Sequence, residues 1–118
     1  MEPPANGTVV LVPFPFSDLS QSKLRPACVL ANAGRDDFIL CQITSNPYAD
    51  PQAVELADSD FDEGSLRRVS YARPGKLFTA HLTLIRAMAG TLTGYAMRQI
   101  VERTVALLQQ GSYPEQGP

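Results

Sequence analysis

The chain predicts a mainly β domain: a small barrel of six or seven short strands with one C-terminal α-helix packed on the sheet. Three observations carry that prediction. Short apolar, β-branched runs recur at even spacing along about the first four-fifths of the sequence. Ten prolines and eight glycines punctuate those runs and keep them short. Near the end the apolar spacing changes from every second residue to every third or fourth, the period of a helix.

Composition sets the outer limits. A chain of 118 residues fits one domain, and a chain of that size buries about two-thirds of its unfolded surface, enough for a core without metal or disulfide staples. We place the domain at residues 7–111, with flexible tails at 1–6 and 112–118. The formal charge is −2, so no bulk positive field recruits a polyanion and any such site must be local. Cys28 and Cys41 both lie inside apolar runs and are expected as reduced core thiols. A single histidine, His81, and the absence of a Cys-x-x-Cys pair argue against a metal site. No cofactor is expected. The N-terminus lacks the basic and apolar regions of a signal peptide, and no apolar run reaches membrane-spanning length. A cytoplasmic protein is expected.

Each element has a local reason. Thr8–Val12 is β-branched and apolar, a strand. Pro13-Phe14-Pro15-Phe16 excludes helix and weakens ladder pairing, because proline has no N–H. Residues 17–22 are polar and turn-like. Pro26–Leu30 is the second strand, Ala33–Asp37 a hairpin connection and Phe38–Thr44 the third strand. After a loop at 46–51, Ala53–Leu56 alternates as a short strand. From Asp50 to Glu63 there are six acids and no base, read as a solvated surface. Leu66–Ala72 reads as a strand, Arg73-Pro74-Gly75 interrupts it, and Leu77–Thr79 resumes it. Leu82–Ile85 suits a helical turn and Arg86–Leu92 a last strand. Thr93 suits an N-cap, with Met97, Ile100, Val101, Thr104, Leu107 and Leu108 at helical spacing and Gly111 at the C-cap.

Two of these runs carry chemistry at their ends. Arg25 stands at the entry to the second strand, with Lys23 just before it. Thr44 and Ser45 stand at the exit of the third. If the two strands are antiparallel neighbours, a guanidinium and a hydroxyl meet at one rim of the sheet. That pairing suits a phosphate, since arginine presents a planar fork of donors matched to phosphate oxygens. Taken singly, each residue has a plainer reading: Arg25 and Lys23 as solvated charges, Thr44 as a β-favoured edge residue, Ser45 and Asn46 as turn formers. Phe14 and Phe16 suit base stacking or, equally, a core or dimer contact. Arg67, Arg68 and Arg73 suit an RNA groove or pairing with the acidic stretch.

The ordered motifs make the resemblance specific. Gly7–Phe16, Lys23–Leu30, Gln42–Ser45, Ser70–Thr79 and Gly90–Thr93 together are similar to the MazF/PemK family, the ribonuclease toxins of bacterial toxin–antitoxin pairs, and to its PemK-like members. The similarity spans about residues 7 to 110. It implies an SH3-like barrel, usually a homodimer, and metal-independent cleavage of single-stranded RNA. In that chemistry the ribose 2′-hydroxyl attacks the adjacent phosphate, leaving a 2′,3′-cyclic phosphate and a 5′-hydroxyl. The family's catalytic arginine falls on Arg25 and its catalytic hydroxyl residue on Thr44; Lys23, Ser45, Asn46, Phe16 and Arg73 are candidate substrate contacts. An antitoxin protein is the implied partner.

This chain departs from the family pattern at Ser20-Gln21-Ser22, where an acid is frequent, so Asp18 is only a fallback base. Asn46 replaces a frequent glutamine, and His81 lies near a position often acidic. Two other functions compete: a barrel that binds RNA or a protein partner without cutting, and a topoisomerase poison of the CcdB type. The second uses a C-terminal tryptophan, and this chain has no tryptophan.

Overall fold

The computed structural model describes residues 2–15 and 22–111. Among these, seven strands form one antiparallel sheet: β1 (Thr8–Pro15), β2 (Ser22–Gly34), β3 (Asp37–Thr44), β4 (Val54–Leu56), β5 (Phe61–Gly64), β6 (Ser70–His81) and β7 (Ala87–Leu92). Their spatial order is β4-β6-β3-β2-β1-β7-β5. The sheet curls into a half-barrel, and the helix α1 (Gly94–Gln110) packs against β6 and β4.

The sheet is buried on both faces, which explains why its central strands read as continuous apolar runs. One cluster gathers Val9, Cys28, Cys41, Ile43, Leu56, Leu92, Ala96 and Ile100, and so ties the sheet to the helix. The other gathers Val10, Val12, Ala27, Val29, Phe38 and Leu40 on the opposite face. Neighbours such as Val9 and Val10, or Cys28 and Val29, go to opposite faces, as the two-residue period requires. Burial of each large aliphatic or phenylalanine side chain contributes about 1.5–3 kcal/mol.

The prolines of β1 do not break the ladder as expected. β1 runs through Pro15, with Pro13 opposite Leu24 and Pro15 opposite Ser22. The carbonyl of Leu11 accepts the Arg86 N–H at 2.9 Å, so Leu11 points its polar groups toward β7. By alternation Pro13 and Pro15 point the same way, beyond the end of β7, where no N–H is needed. Pro26 stands opposite Leu11 and so is turned away from β1 as well.

Other expectations need correction. β2 extends over 13 residues, well past the predicted Pro26–Leu30. The strand expected from Leu66 begins only at Ser70, because Ser65 Oγ accepts the Arg67 N–H at 2.8 Å and Arg67 takes a left-handed φ of 63°. β6 is continuous, and the Arg73-Pro74-Gly75 interruption survives as a shift of register against β3 between Cys41 and Ile43. The strand β5 was not anticipated. It lies inside the acidic stretch, where Phe61 packs on the core and Asp62 and Glu63 face solvent. Thr93 caps the helix as expected, its Oγ1 accepting the Ala96 N–H at 3.1 Å. Ile100 and Thr104 are buried, but Val101 and Leu108 are exposed, 39% and 69%. Gly111 sits at the C-cap with extended backbone, φ −80°, so no left-handed cap forms. Ahead of β1, Pro4 is buried and the Ala5 carbonyl accepts the Thr8 N–H at 3.1 Å.

Gly64 is a glycine the fold cannot spare. Its φ is +73°, and a Cβ there would lie 2.1 Å from the Ala89 carbonyl oxygen. Gly64→Ala is therefore expected to destabilise the domain by at least about 2 kcal/mol in urea unfolding, whereas Gly111→Ala, with open space around it, stays within about 0.5 kcal/mol.

Cys28 and Cys41 face each other across β2 and β3 and are free thiols. Burial pushes both thiols up to about 12; the neighbouring Cys41 adds to the effect on Cys28. Above the ordinary thiol value the unfolded chain loses these protons while the folded chain keeps them. Stability is thus full below about pH 9 and falls as pH rises toward 12, by about 1.4 kcal/mol per pH unit for each thiol. A Cys28→Ala/Cys41→Ala double variant is expected to flatten that part of the stability–pH curve measured by denaturant unfolding.

Candidate functional site

The register of three adjacent strands builds the site. Ala27 pairs with Gln42, and continuing that register two residues sets Arg25 opposite Thr44. On the other side Thr44 pairs with Tyr71 and Ile43 with Ala72, so the next step sets Ser45 beside Ser70. The start of β2, the end of β3 and the start of β6 thus share one rim of the half-barrel. A cavity of about 200 Å³ opens there, lined by Leu24, Arg25, Pro26, Ile43, Thr44, Ser45, Leu66, Arg68 and Ser70.

The lining carries two guanidinium groups, three hydroxyls and no carboxylate. In a chain of net charge −2, this is a local positive site of the kind an anion needs. Arg25 is half-buried and Arg68 exposed, so one cation of the pocket is partly shielded from water and the other faces it. Thr44 Oγ1 accepts the Asn46 N–H at 3.2 Å. That bond uses one lone pair and leaves the hydroxyl proton available to donate to an acceptor. Two guanidiniums and a hydroxyl suit a tetrahedral oxyanion, and they become more effective as its charge grows.

The loop 65–69 delivers Arg68. Ser65 donates to Asp58 and accepts from the Arg67 N–H, and the buried Ser70 hydroxyl donates to the Arg68 carbonyl at 3.2 Å. The acidic stretch therefore does more than face solvent: Asp58 anchors the loop that presents a basic side chain. The sequence offered Arg67, Arg68 and Arg73 together for an RNA groove and singled out Arg73 as a substrate contact; of the three, Arg68 is the one that lines the cavity. Ser70 was not singled out at all.

The other sequence candidates fall elsewhere. Lys23 is exposed on β2, two residues before Arg25, and does not line the cavity. Asn46 is exposed and follows Ser45 directly; its Oδ1 accepts the Tyr48 N–H at 2.8 Å. Arg73 lies outside the lining. Its Nε donates to Asp50 Oδ2 at 3.0 Å, and its guanidinium stands 5.3 Å from the Tyr48 ring centroid. The Gln52 backbone N–H, and then Arg73, hold the Asp50 carboxyl below its ordinary range. Phe16 and Asp18 lie outside the described residues. Phe14 stacks on Phe78 with centroids 4.8 Å apart, in a separate apolar groove. His81 caps a 3-10 turn, its Nδ1 accepting the Thr83 N–H at 3.2 Å. Among the described residues, no group of three or more His, Cys, Asp or Glu converges to hold a metal ion.

A sequence profile of PemK-like, MazF-like toxins of type II toxin–antitoxin systems matches residues 5–108. No curated protein sequence matches. Among solved structures, the chain is similar to an endoribonuclease in complex with its cognate antitoxin from a mycobacterial species. The two share 19% identity, cover 97% of this chain and 100% of the other, and superpose with a TM-score of 0.68. It is also similar to MazF in a MazE–MazF complex from Deinococcus radiodurans, at 19% identity, 94% and 100% coverage and a TM-score of 0.73. The toxin MazF-mt6 of Mycobacterium tuberculosis shares 14% identity over 86% of this chain and 96% of its own, with a TM-score of 0.68. These likenesses establish the half-barrel fold.

Proposed function

This chain belongs to the PemK-like, MazF-like toxins of type II toxin–antitoxin systems, and from that premise we propose that it is a metal-independent endoribonuclease of single-stranded RNA. One observation carries the proposal: Arg25, Thr44, Ser45 and Arg68 line the same cavity. Its size and charge suit a single phosphodiester.

In this reading the scissile phosphate enters the rim pocket. The adjacent ribose 2′-oxygen attacks phosphorus, the new 2′-O–P bond forms and the 5′-O–P bond breaks. The products are a 2′,3′-cyclic phosphate and a 5′-hydroxyl. The attacking hydroxyl loses its proton and the departing 5′-oxygen gains one. Arg25 faces the charge that grows on the non-bridging oxygens, and Thr44 donates its hydroxyl proton to one of them. Arginine keeps its proton at any ordinary pH, so Arg25 stabilises charge here and is not the base. No carboxylate or imidazole lines the pocket among the described residues, so proton transfer falls to a group outside this lining. Lys23 and Asn46 flank the pocket and suit the neighbouring phosphates and riboses. The chain works as a homodimer in the cytoplasm, restrained by an antitoxin that competes for the RNA site. Among the described residues no helix is long and apolar enough to cross a membrane.

Purified protein incubated with single-stranded RNA in EDTA is expected to leave 5′-hydroxyl ends. Arg25→Ala and Thr44→Ala are each expected to slow cleavage by about 100- to 1,000-fold, the usual cost of one preorganised donor. Undiminished cutting by Arg25→Ala overturns the mechanism. RNA binding with no cutting by wild type moves the assignment to a barrel that binds without chemistry.

Arg68 is expected to act as a phosphate contact. Arg68→Ala weakens RNA binding across sequences and lowers the slope of log K against log salt by about 0.7, the value for one phosphate contact on a single strand. A salt titration by fluorescence anisotropy reads this directly.

A further inference from the structure

We propose that the Tyr48 ring is a stacking subsite for the nucleobase next to the phosphate held at Arg25 and Thr44, with Arg73 as the residue that positions it. The inference rests on the reading of the rim pocket as an RNA site.

Tyr48 is 63% exposed. An exposed tyrosine alone is ordinary; this one is held in place from three directions. Its N–H donates to Asn46 Oδ1 at 2.8 Å. It is the first central residue of a tight turn in which the Asp50 N–H donates to the Pro47 carbonyl at 2.9 Å. Tyr48 and Ala49 take φ of 54° and 55° in that turn, where Asn and Gly are the favoured residues. The guanidinium of Arg73 lies against the ring, 5.3 Å from its centroid, and is itself fixed by Asp50 at 3.0 Å. A tyrosine placed at an unfavourable turn position and braced by a cation–π contact presents aromatic surface to solvent.

The subsite is coupled to the pocket. Asn46 donates its N–H to Thr44 Oγ1 and accepts the Tyr48 N–H on its own Oδ1. Two consecutive side-chain-to-backbone turns therefore link Thr44 Oγ1 to the Tyr48 backbone. Four residues span at most about 14 Å, and the turns shorten that, so the ring lies within reach of a nucleotide flanking the pocket. Every base has a π-face, so such a platform accepts single-stranded nucleic acid with little sequence preference. The same geometry gives Arg73 a role different from direct phosphate contact: its Nε is engaged by Asp50, and it acts through the ring.

The test separates this subsite from the pocket. Binding is measured by anisotropy on a labelled random-sequence RNA pool with 2′-O-methyl riboses, which cannot be cut by 2′-hydroxyl attack. Tyr48→Ala is expected to weaken binding by about 5- to 150-fold, and Tyr48→Phe, which keeps the ring, by less than about twofold. The chain has four tyrosines and no tryptophan, so stacking also reads out as quenching of tyrosine fluorescence on RNA addition, and Tyr48→Phe should lose that share of the quench. Circular dichroism checks that each variant is folded. If Tyr48→Ala binds like wild type while Arg25→Ala binds weakly, the subsite is overturned and the pocket reading stands. If wild-type protein binds no RNA in the pool and cuts no unmodified single-stranded RNA, both fall.

Discussion

The register of β2 against β3 is the constraint on which the site depends. Ala27 opposite Gln42 is what brings Arg25 across from Thr44. A slip of one residue would turn Ala27 and Val29 to the face now held by Cys28. Because both faces of this sheet are buried, such a slip would disrupt two apolar clusters at once. The packing that stabilises the domain is therefore also what sets the guanidinium and the hydroxyl on one cavity. Preorganisation of this kind matters because donors already in place need not reorganise when charge develops.

Labour is divided between sheet and loops. The strands supply Arg25 and Thr44 from rigid backbone. The loop after β3 supplies Ser45, Asn46 and Tyr48, and the loop before β6 supplies Arg68. Both loops are organised by their own short-range hydrogen bonds, through Asn46 and Asp50 in one and Ser65 and Asp58 in the other. The donors Arg25 and Thr44 of the rim pocket are thus fixed by the strands, while the other residues in and around it lie on loops, where sequence can vary with less disturbance to the core. Acidic residues around Asp58 and Asp60 support loop and turn geometry and do not face the cavity, so the positive field of the pocket is kept despite the net negative chain.

Much of this was legible in the sequence, for identifiable reasons. The helix was read from its N-cap threonine and its period, and the β1–β3 core from β-branched runs, since both signals are local. The rim pairing of Arg25 with Thr44 followed from placing two apolar runs as antiparallel neighbours. Other features were not legible because their causes are not local. β1 continues through two prolines only because its far edge lacks a partner there, which depends on where β7 ends. β5 was hidden because its pairing with β7 and the packing of Phe61 are tertiary contacts, while its other side chains are acidic. Arg73 read equally as an RNA contact and as a partner for the acidic stretch; it pairs with Asp50, 23 residues earlier in the chain, and only the tertiary fold brings those two together. Arg68 enters the pocket through a left-handed Arg67 that no propensity favours.

The most direct test of a shared phosphate is a double-mutant cycle on kcat/KM for RNA cleavage, using Arg25→Ala, Thr44→Val and the pair together. Two donors that stabilise one developing charge act as a unit. The geometry predicts that the double variant loses far less than the product of the two single losses. Strictly multiplicative losses would mean that the two side chains serve separate steps or separate phosphates, and the common rim pocket would not be the reaction centre.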